Sequence, residues 1–334
     1  MIISRTPFRI SFFGGGTDYP EWYLKEGGAV LSTTIDKYCY ISCRILPPFF
    51  NIKHKVVWSH IEVVSSIAEI LHPAVREGLR FLGFDDSLGL EIHHQGDLPA
   101  RAGMGSSSSF AVGLIKTLTA LRGQMISKHD LALKAIELES QVLKESVGAQ
   151  DQIAAAYGGL NLIHFFKNGS IVVEPVTISA ARIRELKSRL MLFYTGTSRL
   201  ASQVATDLIA NMPYHHKTML KIRAYVDEAV SILNSDENLD HFGQLLHEAW
   251  LLKRSLSEKV ANPTVDHIYQ IAMDNGALGG KLLGAGSSGF MVFYIPPEKQ
   301  PQVIEALFGY LQVPFEFESE GSVLIHYDPG EMPG

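Results

Sequence analysis

Cysteine is scarce in this chain, and its sequence has no long apolar run. The 334 residues include two cysteines, Cys39 and Cys43, which cannot make a disulfide framework, and one Cys-x3-Cys pair is a poor zinc motif. On an extended strand this spacing places both side chains on one face, where we expect two buried small hydrophobes. No apolar run approaches the ~20 residues of a membrane helix, and the N-terminus lacks the regions of a signal peptide. We therefore expect a cytoplasmic protein without a membrane partner.

Charge is modest as well, with 29 lysines and arginines against 35 acidic residues and a net charge of -6. The basic stretch IKHK at 52–55 is too small for a nucleic-acid surface, so we expect no nucleic-acid partner. A hydrophobic content of 46% and a charged content of 19% are typical of a globular protein with a substantial core. At ~100–200 residues per domain, the length predicts two domains.

Residue patterns divide the chain into two mixed halves. Strand patterns dominate the first third, helix patterns follow, and the second half combines long amphipathic helices with short strands. The segment FEFESEGSVLIHY near the C-terminus is expected to form a closing hairpin. We predict an α+β fold with an N-terminal domain over 1–178 and a C-terminal domain over 179–334.

The stretch GDLPARAGMGSSSSFAVG, residues 96–113, allows three interpretations. A flexible linker would continue in Gly, Ser and polar residues, whereas an apolar helix pattern follows here. A nucleophilic serine needs a Gly-x-Ser-x-Gly elbow, and no glycine stands two residues after a serine in this stretch. A phosphate loop needs glycines that admit a ligand to the backbone, and a helix N-terminus that faces the anion. Gly103, Gly105 and Ser106–Ser109 meet both needs, so we favour a phosphate loop, which is not of the Walker A type.

Two further glycine loops are candidates for ligand binding. GAGSSG, from Gly284 to Gly289, has the spacing of a dinucleotide fingerprint, but a strand pattern follows it where the fingerprint needs a helix. We therefore expect a glycine loop between two strands that approaches a ligand or a neighbouring backbone. The loop FFGGGTDYP places Thr17 and Asp18 just beyond a strand, which makes it either a substrate-binding loop or a plain turn.

A few charged residues are candidates for chemistry. Asp151 lies in the largely apolar helix pattern GAQDQIAAAYGG, where a carboxylate needs a partner or a function, and an N-cap or a salt bridge is the alternative. Either Glu137 or Glu139 on the preceding helix faces a metal ion beside the serine loop (Gly103–Ser109), or both are solvated. Arg9 on the first strand would, if buried, pair with a carboxylate or a phosphate.

Four motifs in this order resemble the GHMP small-molecule kinases, and the resemblance spans nearly the whole chain. RTPFRISFFGGGTDYP is similar to the family's first motif, LPARAGMGSSSSF to its ATP phosphate loop, and KLLGAGSSGFM to the glycine loop that closes on the phosphates. GAQDQ is similar to the Gly-x-Met-Asp-Gln of galactokinase. The resemblance implies the two-domain GHMP kinase fold, with an N-terminal domain like domain 2 of ribosomal protein S5 and a ferredoxin-like α+β C-terminal domain.

The resemblance also implies a role for each site residue. Asp151 would be the catalytic base or orient the acceptor hydroxyl, and Arg9 would pair with it. Ser107 and Glu139 would hold Mg²⁺. The ATP phosphates would contact Gly103, Met104, Gly105, Ser106, Ser107, Ser108 and Ser109, and the closing loop would be Gly284, Ala285 and Gly286. The acceptor sugar would contact Gly15, Gly16, Thr17 and Asp18, and an acceptor phosphate would contact Arg199, with Arg101 and Lys37 behind it.

The first loop departs from galactokinase, because Gly15-Gly16 stand where that enzyme has Glu-His before Thr-Asp. The Gly-Gly-Gly-Thr-Asp form and the segment FYTGTSRLAS resemble the heptose 7-phosphate kinases. This resemblance implies an ATP- and Mg²⁺-dependent kinase that phosphorylates the anomeric hydroxyl of D-glycero-D-manno-heptose 7-phosphate, for the synthesis of GDP-heptose and surface polysaccharide precursors. A fucokinase or galactokinase-like enzyme for an unphosphorylated sugar, and an inactive sugar-phosphate sensor on the same fold, are the alternatives. The sequence leaves a monomer and a homodimer open.

Overall fold

The computed structural model describes residues 1–47, 49, 52–100, 102–196 and 201–328, with the side chains of 201–203 excepted. Its strands, in chain order, are β1 (Ile2–Phe13), β2 (Gly28–Ile45), β3 (His54–Val57), β4 (Ile61–Val64), β5 (Leu90–Gly96), β6 (Asn161–Phe165), β7 (Ile171–Pro175), β8 (Leu190–Tyr194), β9 (Gly279–Leu282), β10 (Phe290–Tyr294), β11 (Leu311–Gln312), β12 (Phe317–Glu318) and β13 (Val323–Tyr327). Its α-helices are α1 (Pro20–Glu26), α2 (Pro73–Phe81), α3 (Ser106–Leu121), α4 (Lys128–Glu137), α5 (Gln150–Tyr157), α6 (Ala180–Ser188), α7 (Ala201–Asn211), α8 (His216–Asn234), α9 (Asp240–Ser255), α10 (Pro263–Asp274) and α11 (Gln300–Ala306).

The long antiparallel ribbon of β1 and β2 is the centre of the first sheet. Within the described residues this sheet has nine strands, with a main path of β13-β1-β2-β5-β3-β4, while β6 and β12 also pair with β2 and β7 pairs with β6. Cys39 and Cys43 of β2 are both buried and free, as predicted. Helix α3 packs on this ribbon through its apolar face, which includes the fully buried Leu114 and Leu118. The ribbon and α3 together hold Arg9 of β1 beside the start of the helix.

A second, four-stranded sheet with the order β11-β8-β10-β9 occupies the other half of the described chain. The hydrophobic core continues between the two halves. Phe242 of α9 meets Phe12 and Phe13 of β1 edge to face, with ring centroids 5.6 and 5.1 Å apart. The C-terminal end of β1 is therefore fixed against the first turn of α9. A membrane-crossing helix is not found among the described residues.

The predicted C-terminal hairpin is wrong. β13 pairs with β1, with Val323 opposite Arg5 and Tyr327 opposite Ile2, and β12 pairs with β2. The chain thus returns from the second half to the first sheet, where β13 covers an edge of β1 that would otherwise expose unpaired main-chain groups. The division at 178 stays a prediction, but the segment after it supplies two strands to the first sheet.

Candidate active site

A cleft of about 510 Å³ lies where the three glycine loops meet. The loop after β1, the loop before α3 and the loop between β9 and β10 all line it. The predicted site residues on its lining are Arg9, Gly15, Gly16, Asp18, Gly103, Gly105, Ser106, Ser107, Ser108, Asp151, Gly284 and Ala285. Residues that are up to 276 positions apart in sequence, from Arg9 to Ala285, therefore share one cavity.

The serine loop places the N-terminus of helix α3 on the lining of this cleft. Gly105 is the N-cap of α3 in the left-handed conformation, with φ 75° and ψ 28°, and the helix begins at Ser106. The first turn of a helix carries main-chain N–H groups without intrahelical acceptors and the positive end of the helix dipole. Because this turn lines the cleft, the arrangement suits an anion such as phosphate.

Two residues of the serine loop do not present their side chains to the cleft. Met104 is fully buried in the core, and the hydroxyl of buried Ser109 donates to the carbonyl of Pro7 at 3.0 Å. The Ser109 side chain and the main-chain carbonyl of Met104, which accepts from the N–H of Arg9 at 3.2 Å, anchor the loop to β1. The predicted part of these two residues in ATP binding is therefore limited to the main chain. The sequence could not reveal this, because adjacent serines look alike until the helix packs against a sheet.

The serine loop and the loop between β9 and β10 touch main chain to main chain. A Cβ added to Gly103 would lie 2.3 Å from the carbonyl oxygen of Leu283, and one added to Gly284 would lie 2.6 Å from Gly103 Cα. The strand–loop–strand context predicted for GAGSSG is confirmed, since β9 and β10 flank it. Gly286 packs against Val260 rather than lining the cleft.

We expect Gly103→Ala to lower the free energy of unfolding and to weaken nucleotide binding. Gly103 has φ +78°, so alanine there carries left-handed strain of ~1–2 kcal/mol, and the added Cβ also collides with a carbonyl held in another loop. The matched control is Gly123→Ala, because Gly123 has φ +66° and nothing within 4 Å of an added Cβ. Denaturant unfolding and nucleotide titration of both variants measure the difference, which should reach about 2 kcal/mol from overpacking alone. Equal losses in the two variants would contradict the close approach of the loops.

Arg9 and Asp151 form a bidentate ion pair on the floor of the cleft. Arg9 donates from Nε to Asp151 Oδ1 and from Nη2 to Asp151 Oδ2, both at 2.7 Å. A third bond of 2.7 Å runs from Arg9 Nη1 to the carbonyl of Gly103. The Arg9 side chain is 4% exposed and that of Asp151 is 23% exposed. The arginine therefore fixes the carboxylate against the serine loop, while the carboxylate keeps one side open to the cleft.

Asp18 lies beside this pair and is tied to the start of α5. Its carboxylate accepts from the main-chain N–H groups of Gly16 at 2.9 Å and Gln150 at 3.3 Å. Burial, and then the charge of Asp151, raise the pKa of Asp18 above its usual value. Thr17 has a different role from the one predicted, because its hydroxyl is fully buried and is shared between the carbonyls of Gly14 and Ala29. Thr17 therefore shapes the loop and does not line the cleft.

Glu139 lies behind the serine loop in a buried polar cluster. Helix α4 ends at Glu137 and continues as one π-helical turn, Leu138–Val142, a feature found often at functional sites. The Glu139 carboxylate accepts from Ser108 Oγ at 2.7 Å and Gln152 Nε2 at 2.6 Å, and Ser107 also bonds to it. Burial raises its pKa to about 7 against these hydrogen bonds. Glu137, the alternative acid, is exposed.

Sequence reasoning missed two buried lysines of the cleft, Lys253 on α9 and Lys281 on β9. Lys253 Nζ donates to the carbonyl of Gly284, and Lys281 Nζ donates to the carbonyl of Phe12 at 2.9 Å. The sequence does contain a signal for their burial. Lys253 lies three residues after Trp250, on the apolar face of its helix. Lys281 is likewise a lone charge in a strand whose four residues are all buried.

Three cations were predicted for an acceptor phosphate, and the structure describes one of them, Lys37. Arg199 and Arg101 lie outside the described residues. Lys37 pairs with Asp36 at 3.1 Å and does not line the cleft. Lys144 does line it, from the loop between the π-helical turn and α5.

Comparison with known proteins places the chain among kinases. Residues 64–159 match the GHMP kinases N terminal domain, and residues 229–311 match the GHMP kinases C terminal domain. The chain is 31% identical to the D-glycero-alpha-D-manno-heptose 7-phosphate kinase of Campylobacter jejuni, over 96% of this chain and 97% of that protein. It is 23% identical to a galactokinase of Pyrococcus furiosus over 96% of each chain.

Solved structures agree on the fold. A D-glycero-D-manno-heptose 1-phosphate kinase from Bacteroides thetaiotaomicron superposes with a TM-score of 0.78 at 23% identity, covering 98% of this chain and 99% of the other. A phosphomevalonate kinase from Streptococcus pneumoniae superposes with a TM-score of 0.75 at 14% identity, covering 95% and 100%. The predicted GHMP kinase fold is confirmed, and with the full-length relative at 31% identity it establishes that this chain belongs to the GHMP kinase family and is a sugar kinase.

Proposed function

We propose that the protein transfers the γ-phosphoryl group of MgATP to the anomeric hydroxyl of D-glycero-D-manno-heptose 7-phosphate, giving the 1,7-bisphosphate for GDP-heptose and surface polysaccharide synthesis. The main support for this reaction is the position of the Asp151 carboxylate, which Arg9 fixes in the same cleft as the first turn of α3. The acceptor is supported by the heptose 7-phosphate kinase of Campylobacter jejuni, which matches nearly the whole chain at 31% identity.

Phosphoryl transfer asks mainly for positioning and for stabilisation of charge. The nucleotide phosphates would bind at the first turn of α3 and be covered by the loop of Gly284 and Ala285. The anomeric hydroxyl would approach the open side of Asp151, which is 23% exposed, with Gly15, Gly16 and Asp18 beside the sugar. Asp151 would accept the hydroxyl proton or orient the hydroxyl, and Arg9 would hold the carboxylate in position.

Ser107 and Glu139 are suitable ligands for Mg²⁺. They supply a hydroxyl and a carboxylate oxygen, which are the ligands this ion prefers, and they contact each other. No group of three or more metal-binding side chains occurs in the part of the chain that the structure describes. That suits an ion that takes most of its ligands from nucleotide phosphates and water. When bound, Mg²⁺ would neutralise charge on the transferring phosphoryl group.

A sugar kinase for an unphosphorylated acceptor is the second candidate. The bifunctional fucokinase/GDP-fucose pyrophosphorylase of Arabidopsis thaliana is 29% identical over 85% of this chain, although the match spans only 29% of that protein. The Gly-Gly-Gly-Thr-Asp loop is compatible with either acceptor. The two candidates therefore differ in one testable respect, which is whether the acceptor must carry a phosphate.

An acceptor panel with MgATP tests the proposal. We expect kcat/KM for heptose 7-phosphate to exceed that for L-fucose, galactose and mannose by at least ~10²-fold, because a site that binds the substrate through a polar group rejects an analogue that lacks this group. Phosphorus NMR of the product should find the new phosphate on the anomeric carbon. Equal or greater kcat/KM with L-fucose would favour the fucokinase, and binding of sugar phosphates without ATP consumption would favour the inactive sensor.

A further inference from the structure

Lys253 and Lys281 are two buried lysines on the lining of the cleft. Their side chains come from α9 and β9, and the residues are 9% and 5% exposed. Both line the same cavity as Arg9 and Asp151. Lysine is rarely buried to this extent without a partner of opposite charge, so their position needs a reason.

Neither lysine has enough hydrogen-bond acceptors in the described protein. An ammonium group has three donors. Among the described residues, Lys253 has the carbonyl of Gly284 and Lys281 has the carbonyl of Phe12, and neither forms an ion pair within 4.0 Å. Burying donors without acceptors costs free energy. Two neighbouring lysines in this state provide a place where an anion would be stabilised.

The charges of the cleft also favour an anion. Arg9 and Asp151 neutralise each other through their two hydrogen bonds. Lys144 and Glu145 also line the cleft and carry opposite charges. Asp18 is then the remaining acid against Lys253 and Lys281, and its carboxylate is already held by main-chain N–H groups. Burial, followed by the Arg9 charge, lowers the pKa of Lys253 to about 8. Burial and then the charges of Lys253 and Arg9 lower the pKa of Lys281 well below its ordinary value, so an incoming anion would stabilise the charged form of both.

The partners of the two lysines locate this anion along the cleft. Lys253 bonds to Gly284, in the loop that packs on the serine loop at the end proposed for the nucleotide phosphates. Lys281 bonds to Phe12, at the end of β1 just before the loop proposed for the sugar. Between these two ends lies the point where the phosphoryl group would pass from nucleotide to acceptor.

We infer that Lys253 and Lys281 are catalytic residues that bind the oxygens of the transferring phosphoryl group. In this step the acceptor oxygen forms a bond to the γ-phosphorus, and the bond from that phosphorus to the β,γ-bridging oxygen breaks, with its electron pair leaving on ADP. The hydroxyl proton passes to the Asp151 carboxylate if Asp151 is the base, and to water if Asp151 only orients the hydroxyl. The two lysines exchange no bonds and offer N–H donors to the equatorial oxygens, where negative charge is spread in the transition state. The inference rests on the proposed function for the direction of transfer.

The test compares Lys253→Met and Lys281→Met with Lys128→Met. Methionine retains most of the volume and removes the charge. Lys128 is the matched control, because it too donates to a backbone carbonyl, that of Tyr157 at 2.8 Å, but lies exposed outside the cleft. We expect each cleft variant to lose ~10²–10³-fold in kcat, as on removing one donor to a transition-state oxyanion. The KM for the acceptor and the affinity for the non-hydrolysable ATP analogue AMPPNP should change much less, and Lys128→Met should retain wild-type kcat.

A second measurement separates catalysis from packing. ADP with aluminium fluoride imitates the phosphoryl group in transfer, so wild type should bind this mixture more tightly than ADP alone, and the methionine variants should lose that advantage. Lys253→Arg, which keeps the charge, should recover part of kcat if Lys253→Met fails to fold. Wild-type kcat in both methionine variants would overturn the inference, and so would a rise only in the KM of the phosphorylated acceptor, which would assign the lysines to the acceptor phosphate.

Failure of the proposed acceptor gives a different result. If the panel identifies L-fucose rather than heptose 7-phosphate, the same variants are measured with L-fucose. The loss in kcat should persist, because the transferring phosphoryl group is common to every acceptor. A loss that appears with heptose 7-phosphate but not with an unphosphorylated sugar would overturn the inference while leaving the proposed function intact.

Discussion

Asp151→Ala is expected to lower kcat by ~10²–10⁴-fold, the usual contribution of a general acid or base, while the nucleotide still binds. Asp151 is the carboxylate that Arg9 holds open to the cleft, whereas the nucleotide site proposed at Ser106–Ser108 is built on a different helix. Steady-state kinetics with MgATP and the acceptor measure kcat, and titration with AMPPNP measures nucleotide affinity. Wild-type turnover in this variant would contradict any catalytic role for Asp151.

The same variant should also be less stable, since it leaves Arg9 buried without its carboxylate. Breaking a buried ion pair from one side typically costs about 3 kcal/mol or more, although the bond from Arg9 to Gly103 remains. Asp266→Ala is the matched control, because Asp266 is also a first-turn aspartate paired with an arginine, Arg254, at 2.7 Å, but near the surface. That control should lose at most ~1 kcal/mol and retain kcat.

Asp151→Asn distinguishes a base from a group that only orients the hydroxyl. Asparagine retains the shape and one acceptor oxygen but cannot take a proton at neutral pH. If Asp151 is a base, the asparagine variant should be as slow as the alanine variant. If Asp151 only orients the hydroxyl, the asparagine variant should recover most of kcat.

The chemistry of the serine loop could be predicted from local sequence, because glycines, small hydroxyl residues and a helix N-terminus carry their own physical meaning. Arg9 and Asp151 are different. They are 142 residues apart, and no local sequence pattern predicts that they pair. Their pairing was predicted from the resemblance to a known family. The structure brings them together because β1 and α5 both pack beside the start of α3.

Other features depend on packing that the sequence does not encode locally. Thr17 and Ser109 carry hydroxyls in the predicted loops, but these hydroxyls donate to backbone carbonyls. Ser109 donates to β1, and Thr17 donates to β2 and to the turn after β1. The π-helical turn at Leu138–Val142 changes the helix period by one residue, which a regular helical pattern cannot predict. Strand β13 pairs with β1, which lies at the other end of the sequence. The turn-like residues before β13 predict a local hairpin and give no information about this distant partner.

Glu139→Gln is expected to lower kcat/KM for MgATP by ~10²-fold, because a magnesium ligand contributes several kcal/mol of charge stabilisation in phosphoryl transfer. The glutamine retains the volume and an acceptor for the Ser108 hydroxyl but cannot carry the charge that attracts a cation. Magnesium titrations of kcat should require more Mg²⁺ in the variant. The matched control is Glu137→Gln, which removes an exposed acid from the end of the same helix and should leave the magnesium dependence unchanged.

The pH dependence of stability provides an independent check on Glu139. Burial raises its pKa to about 7, above the ordinary value of 4.5, so the folded protein binds the proton more tightly than the unfolded chain does. This contribution to stability is complete below about 4.5 and is lost as the pH rises through about 7. In metal-free buffer the Tm of the wild type should therefore fall more between pH 6 and 8 than that of Glu139→Gln. Mg²⁺ favours the ionised carboxylate, so its addition should raise the wild-type Tm more at pH 8 than at pH 6. The same Tm increment with Mg²⁺ in both proteins at pH 8 would mean that the ion binds elsewhere.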